Sequence, residues 1–117
     1  MATITKDDLS GSTNGKMIAV SQTSTAGNLI HTAVAGTTNW DEIWIYANNI
    51  DTSDRKLTIE WGNTTAAGGH IEYTVTAESG LALVIPGLLL QNGLIVKAFA
   101  ATTNVINLSG YVNKITA

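Results

Sequence analysis

Residues 56–61 read KLTIEW and residues 70–75 read HIEYTV, and both stretches alternate apolar with polar side chains. In the first stretch Leu57, Ile59 and Trp61 share one side of an extended chain, and the residues between them take the other side. A period of two is typical of a β-strand with one buried face and one solvated face. The two stretches therefore predict consecutive strands.

Similar short, β-branched segments recur along the chain, separated by Gly, Asn, Asp, Ser and Thr, and no competing period of 3.6 residues indicates a helix. We predict an all-β protein, a single antiparallel β-sandwich that is jelly-roll-like and has about eight strands. The predicted strands are Lys16 to Val20, Asn28 to Val34, Glu42 to Ala47, Lys56 to Trp61, His70 to Val75, Leu81 to Ile85, Leu94 to Phe99 and Val105 to Val112.

Three of these segments are apolar on both faces: residues 43–46, 81–85 and 94–96. A strand that is apolar on both faces is either central in the fold or covered by another subunit. The sequence alone leaves both explanations open.

The composition points in the same direction. The chain has 117 residues, enough for one domain, and 44% of them are hydrophobic, but only 13% are charged, against roughly 25% in ordinary soluble domains. A chain with so little charge covers its surface with uncharged polar residues or loses surface to neighbours.

The first fifteen residues are rich in Ser, Thr, Gly and Asp and hold two isolated apolar side chains, Ile4 and Leu9. This composition predicts an extended N-terminal arm over residues 1–15 and a β-sandwich domain over residues 16–117. On this interpretation Ile4 and Leu9 fill pockets on a partner. Deletion of residues 2–12 should then weaken attachment but leave a folded domain of nearly unchanged stability.

Several classes of function are disfavoured. The net charge is −3 and the six cationic residues are scattered, which argues against a nucleic-acid partner. The chain has no cysteine, so thiolate chemistry and disulfides are excluded. The apolar run from Leu81 to Leu90 is too short for a membrane span, which needs about 20 residues. The N-terminal residues resemble no targeting peptide, and we expect cytoplasmic synthesis and no membrane partner.

No catalytic, cofactor or metal site is predicted. The stretch from Ser10 to Lys16 has the wrong glycine spacing for a phosphate-binding loop and precedes a strand rather than a helix. His31 and His70 have no further ligands at metal-binding spacing. Glu60 and Glu72 are expected on the polar faces of neighbouring strands, where they imitate a carboxylate pair but are interpreted as solvated surface residues. We therefore expect a protein that is not an enzyme.

Aromatic residues are the best candidates for contacts with partners, because they bury much area for each side chain. Trp61 follows the inward pattern of its strand and is expected in the core. For Trp44 the sequence favours a place in the core and an intersubunit contact equally. The predicted interface residues are Ile4, Leu9, Trp40, Trp44, Tyr46 and Tyr111.

Four segments resemble a group of small virion proteins of tailed bacteriophages: residues 41–47, DEIWIYA, residues 56–62, KLTIEWG, residues 81–93, and residues 98–115. The resemblance implies a β-sandwich on the capsid exterior, a head decoration or cement subunit. It implies binding to the major capsid protein of a phage head and to sister subunits in a homo-oligomer, expected to be a trimer, with a virion location on the capsid surface. It carries no catalytic motif.

Two other functions fit the same composition. One is a tail, fibre or baseplate component. The other is a glycan-binding β-sandwich module on the virion surface, which would use an exposed Trp or Tyr against sugar rings.

Overall fold

The computed structural model describes residues 2–65 and 67–117, and every regular element within those ranges is a β-strand. Each predicted strand overlaps an observed one, and the predicted all-β class is confirmed. The strands are β1 Thr3–Asp8, β2 Ile18–Ala19, β3 Asn28–Thr32, β4 Trp40–Asn49, β5 Arg55–Trp61, β6 His70–Val75, β7 Leu81–Leu90, β8 Ile95–Ala100 and β9 Ile106–Thr116.

The strands form two antiparallel sheets. Sheet A has the order β1-β9-β4-β7, with the short β2 also paired to β9, and sheet B has the order β3-β8-β5-β6. The pairings are nested, because β5 pairs with β6, β4 with β7, β3 with β8, and β1 and β2 with β9. Such nesting is what a long hairpin produces when it is rolled into two layers, and it is the order of a jelly roll.

The core lies between the two sheets. Alternate residues of β4, including Ile43 and Ile45, are fully buried, as are Leu57 and Ile59 of β5. Trp61 packs at the margin of this core and is half-buried, which agrees with its predicted inward direction. Burial of one face of each sheet is the main stabilising contribution that such a fold has.

The predicted extended arm over residues 1–15 is not confirmed. Residues 3–8 form β1, which pairs with β9 from Thr3 opposite Thr116 to Asp8 opposite Tyr111. The next residue, Leu9, has 0% exposure and belongs to the core. The arm was predicted from local polarity, which overlooks that a polar strand can pair with the edge of a strand more than a hundred residues away.

The segments predicted to be apolar on both faces occupy different places. β4 is central in sheet A, between β9 and β7, and β8 is central in sheet B. In contrast, β7 is an edge strand of sheet A. Its outward leucines therefore remain exposed in the single chain, and this edge is a candidate interaction surface.

Candidate interaction surface

The outward side of sheet A, which we call the outer face, carries the aromatic residues of β4 and β9. Residues of β4 alternate along the strand, so that Ile43 and Ile45 are buried while Trp44 and Tyr46 point away from the core and are half-buried. Tyr111 of β9 lies directly opposite Trp44. Alternation places residues two apart on the same face of a sheet, so the outer face is continuous along both strands.

Four residues form a stack across β1, β9, β4 and β7 of sheet A. The Trp44 and Tyr111 rings are nearly parallel, with an angle of 13° and 6.0 Å between their centroids. The Lys6 ammonium lies 4.7 Å from the centroid of the Tyr111 ring, a cation–π distance. At the other end the Trp44 ring lies against the backbone of Gly87. The side chains are held in place before any partner arrives.

Gly87 is required for this stack. A Cβ at this position would lie 2.8 Å from a ring carbon of Trp44, and the φ of Gly87 is +77°. Both observations exclude an ordinary side chain, since left-handed backbone favours glycine. The pairing of β4 with β7 shifts register between Ile43 and Trp44, which marks Gly87 as part of a β-bulge.

Glu42 fixes the edge of the stack. Its Oε1 accepts hydrogen bonds from Trp44 Nε1 at 2.7 Å and from Asn113 Nδ2 at 2.9 Å. These bonds hold the pKa of the Glu42 carboxyl below its ordinary value, with the larger contribution from Asn113. The carboxylate is therefore charged at neutral pH.

Loss of the Asn113 amide is expected to raise the pKa of Glu42 toward its ordinary value. Because the folded-state pKa is the lower one, these hydrogen bonds stabilise the fold fully above the unfolded value of about 4.3, and that contribution is lost as pH falls through the folded-state value. Carboxyl titration by NMR in the native protein and in Asn113→Ala measures the difference. An equal Glu42 midpoint in both proteins would contradict the assignment.

An apolar corner adjoins the stack. Ile115 of β9 lies between Ile4 of β1 and Trp40 of β4 in the strand register. Ile4 is 67% exposed and Trp40 is 40% exposed. Large apolar side chains with this much exposure in one place are typical of interaction sites.

The edge strand β7 extends this apolar surface, and we call its four exposed leucines the leucine edge: Leu81, Leu83, Leu88 and Leu89. The strand runs through Pro86, further than predicted. Proline has no N–H to donate, and an edge strand tolerates it for that reason. Pro86 and the bulge at Gly87 interrupt the free backbone of β7, so this edge offers side chains rather than a long template for another strand.

The predicted interface residues divide into two groups. Ile4, Trp40, Trp44, Tyr46 and Tyr111 all lie on the outer face of sheet A. Leu9 does not, and its prediction as an interface residue was wrong. Its side chain is fully buried in the core, because the chain turns inward after β1 and Gly11 N donates to Ile30 O of β3 at 2.9 Å.

Lys6, Asn113 and the leucine edge were missed as site residues. Their position depends on which strands pair, and no sequence motif indicates that pairing. Residues 3–8 contain a single apolar side chain, Ile4, so they carry no alternation that would have identified a strand.

His31 lies in a buried polar cluster. His31 Nε2 is 2.7 Å from Asp41 Oδ2, and both side chains are at most 3% exposed. Ser10 N donates to His31 Nδ1 at 2.9 Å, so Nε2 carries the proton and donates to the aspartate. The Ser10 hydroxyl instead accepts from Thr32 N. The residue types imitate a catalytic triad, but this geometry joins three segments of the fold and places no serine hydroxyl on the histidine.

Glu60 differs from its prediction as a solvated residue, which was wrong. It is only 1% exposed and accepts hydrogen bonds from Gly27 N, at 2.6 Å, and from the Thr25 hydroxyl. The connection between β2 and β3 therefore covers the polar side of β5. Glu72 remains at the surface, where it is 2.8 Å from Lys56 Nζ.

Among residues 2–65 and 67–117 there is no group of three or more His, Asp or Glu side chains placed to hold a metal ion. The same ranges contain no helix long and apolar enough to cross a membrane. Comparisons of the chain with models of protein families, with curated proteins and with solved structures found no match.

Proposed function

We propose that this chain is a non-enzymatic structural subunit of a bacteriophage virion, a capsid decoration or cement protein that binds the outside of the phage head. The observation that carries the proposal is the group of aromatic and apolar side chains exposed on the outer face of sheet A, together with the adjoining leucine edge. A surface of this kind, with aromatic side chains already held in place, is typical of protein interfaces. The proposed head location rests on the resemblance of residues 41–47, 56–62, 81–93 and 98–115 to virion proteins.

The leucine edge is proposed to contact the major capsid protein. Complete burial of a fully exposed leucine stabilises a complex by about 1.5–3 kcal/mol, and these four leucines, which are 39–56% exposed, would contribute roughly half of that each. A subunit that binds only the assembled shell stabilises that shell by mass action. Heads carrying the protein should therefore survive heat or osmotic shock better than heads without it.

The stack on the outer face argues against glycan binding there. A sugar ring needs a free aromatic face, whereas Tyr111 is covered by Lys6 on one side and Trp44 on the other. Ring atoms of Trp44 also lie beside Gly87.

Leu89→Asp is expected to lower the affinity for phage heads by about tenfold or more, because a buried carboxylate replaces a buried leucine. Purified heads that lack the protein are mixed with each variant, and occupancy is measured against concentration. Leu29→Asp is the matched control, since Leu29 is 46% exposed and Leu89 is 47% exposed, but Leu29 lies on sheet B.

Unchanged occupancy with Leu89→Asp would remove the leucine edge as the attachment surface. Imaging of the native particle provides the second measurement. Localisation to a tail, fibre or baseplate instead of the head would contradict capsid decoration.

A further inference from the structure

Lys6 and Glu42 of the outer face have no counter-charge within 4.0 Å among the described residues, and neither has Asp8, the third charged residue of that face. Among the described residues no carboxylate lies within 4.0 Å of Lys6 Nζ, and no cationic group lies that close to Glu42. Lys6 lies over a ring, and Glu42 accepts only from neutral groups. Both charges are therefore available to a partner.

The two charges flank β9 symmetrically. Lys6 of β1 and Glu42 of β4 both lie opposite Asn113 of β9, one on each side at about 4.8 Å, the spacing of neighbouring strands. Ile4 and Trp40 flank Ile115 in the same way. A two-fold axis along β9 exchanges the two sides of the strand, so it places Lys6 of one copy opposite Glu42 of the other and Ile4 opposite Trp40.

We infer that two copies of this chain pack the outer faces of their A sheets together about a two-fold axis along β9, with Lys6 of each copy paired to Glu42 of the other. The contact is isologous, in the sense that one surface serves both copies. Residues on the axis, including Ile115 and Tyr111, meet their own counterparts. Asp8, at the end of β1, comes opposite Trp44 and lies beside a shallow groove lined also by Asn14 and Gly15.

The size of the face sets the expected strength of the pair. At about 3.3 Å per residue and 4.8 Å between strands, β1, β9 and β4 have a footprint of roughly 430 Å². Each partner in a stable complex of standard size contributes about 800 Å², so we expect a weak pair that forms at high protein concentration. Sheets that pack face to face and nearly aligned are a common arrangement inside β-sandwiches. The leucine edge lies outside this contact and stays open to the capsid.

The inference deepens the proposed role as an assembly subunit, but its test uses the free protein and needs no phage head. In Lys6→Glu, residue 6 of each copy faces Glu42 of the other, so the contact contains two pairs of like charge. Glu42→Lys likewise creates two pairs of positive charges. Each change alone should weaken self-association by about tenfold or more, because like charges facing each other across an interface are strongly unfavourable. Sedimentation over a concentration series measures the effect.

Restoration is the decisive result. A chain with both changes should associate again, and an equimolar mixture of the two single variants should form a mixed pair, since both charge pairs are then complementary. Lys56→Glu and Glu72→Lys are the matched controls, because this ion pair is exposed on sheet B and lies within one chain. Neither control should change association.

A cross-linking measurement keeps the inference testable if Glu42→Lys fails to fold. Ser109 lies on the outer face of β9, opposite Tyr46, and the chain has no cysteine. Ser109→Cys should be linked in pairs by a short bismaleimide, because packed sheets lie about 10 Å apart. Thr74→Cys, on the exposed edge strand β6, should not.

A native protein that is monomeric at millimolar concentration, or a trimer, would overturn the two-fold pairing. So would single variants whose association stays unchanged, or whose mixture fails to restore it. If the two copies do not pair but the protein still binds phage heads through the leucine edge, only the inferred pairing is wrong. If the copies pair but the leucine edge does not bind heads, only the proposed function is wrong.

Discussion

Replacing Leu9 with alanine is expected to lower the free energy of unfolding by about 2–5 kcal/mol, the range for truncation of a fully buried leucine. Leu9 has 0% exposure and packs in the core directly after β1. The loss is a large fraction of the 5–15 kcal/mol that holds a typical domain together. Chemical denaturation of the native protein and of Leu9→Ala measures the difference in the free energy of unfolding. The dependence of that free energy on denaturant concentration should be equal in the two proteins.

Ile4→Ala is the matched control, since Ile4 lies in the same N-terminal segment but is 67% exposed. At concentrations too low for self-association its effect should stay below about 0.5 kcal/mol. Deletion of residues 2–12 removes both β1 and Leu9, and we now expect a strongly destabilised or unfolded protein. If Leu9→Ala is as stable as Ile4→Ala, Leu9 does not stabilise the core, and residues 1–15 would again be interpreted as an arm.

Asp41→Ala is expected to destabilise the fold by about 2–4 kcal/mol, because each buried donor left without a partner costs about 1–3 kcal/mol. Asp41 Oδ2 accepts from His31 Nε2 at 2.7 Å and from Val34 N at 3.1 Å. Without the carboxylate the buried His31 donor and the partly buried Val34 N–H both lose their partner. Because His31 belongs to β3 and Asp41 to β4, the pair joins sheet B to sheet A.

Glu72→Ala provides the comparison. It removes an ion pair of similar length, with Lys56 Nζ at 2.8 Å, but both side chains are more than half exposed. Pairs of this kind contribute about 0–1 kcal/mol. Thermal and denaturant unfolding of the two variants should therefore differ widely. Similar small losses in both would show that the buried cluster is dispensable.

The strands could be predicted because each has a local signal. Alternation at Leu57 and Ile59 and the turn residues between segments depend on neighbours in sequence. β1 could not be found in that way. Its residues are polar, and it is a strand only because β9 supplies the pairing partners. Glu60 was misplaced for a related reason, since the segment that covers it, including Gly27, comes from another part of the chain.

The aromatic residues of the outer face could be identified from the sequence as candidate interface residues. That they lie together on one face could not be predicted. Trp44 was left between core and surface, and its outward direction is decided by the buried alternation of Ile43 and Ile45. The stack with Tyr111 depends on strand register, and the place of Gly87 beside the ring depends on a bulge. Register and bulges are tertiary properties that a period of two does not encode.

The nested pairing of the strands has a consequence for folding kinetics. β5 and β6 are joined by residues 62–69 alone, whereas β1 pairs with β9 across almost the whole chain. Loop closure costs more entropy as the loop lengthens, so pairing proceeds most readily from the innermost hairpin outward. We therefore expect β1 to dock last. Stabilising contacts that form after the folding transition state slow unfolding while leaving the folding rate almost unchanged, so weakening the pairing of β1 with β9 should shorten the lifetime of the folded molecule.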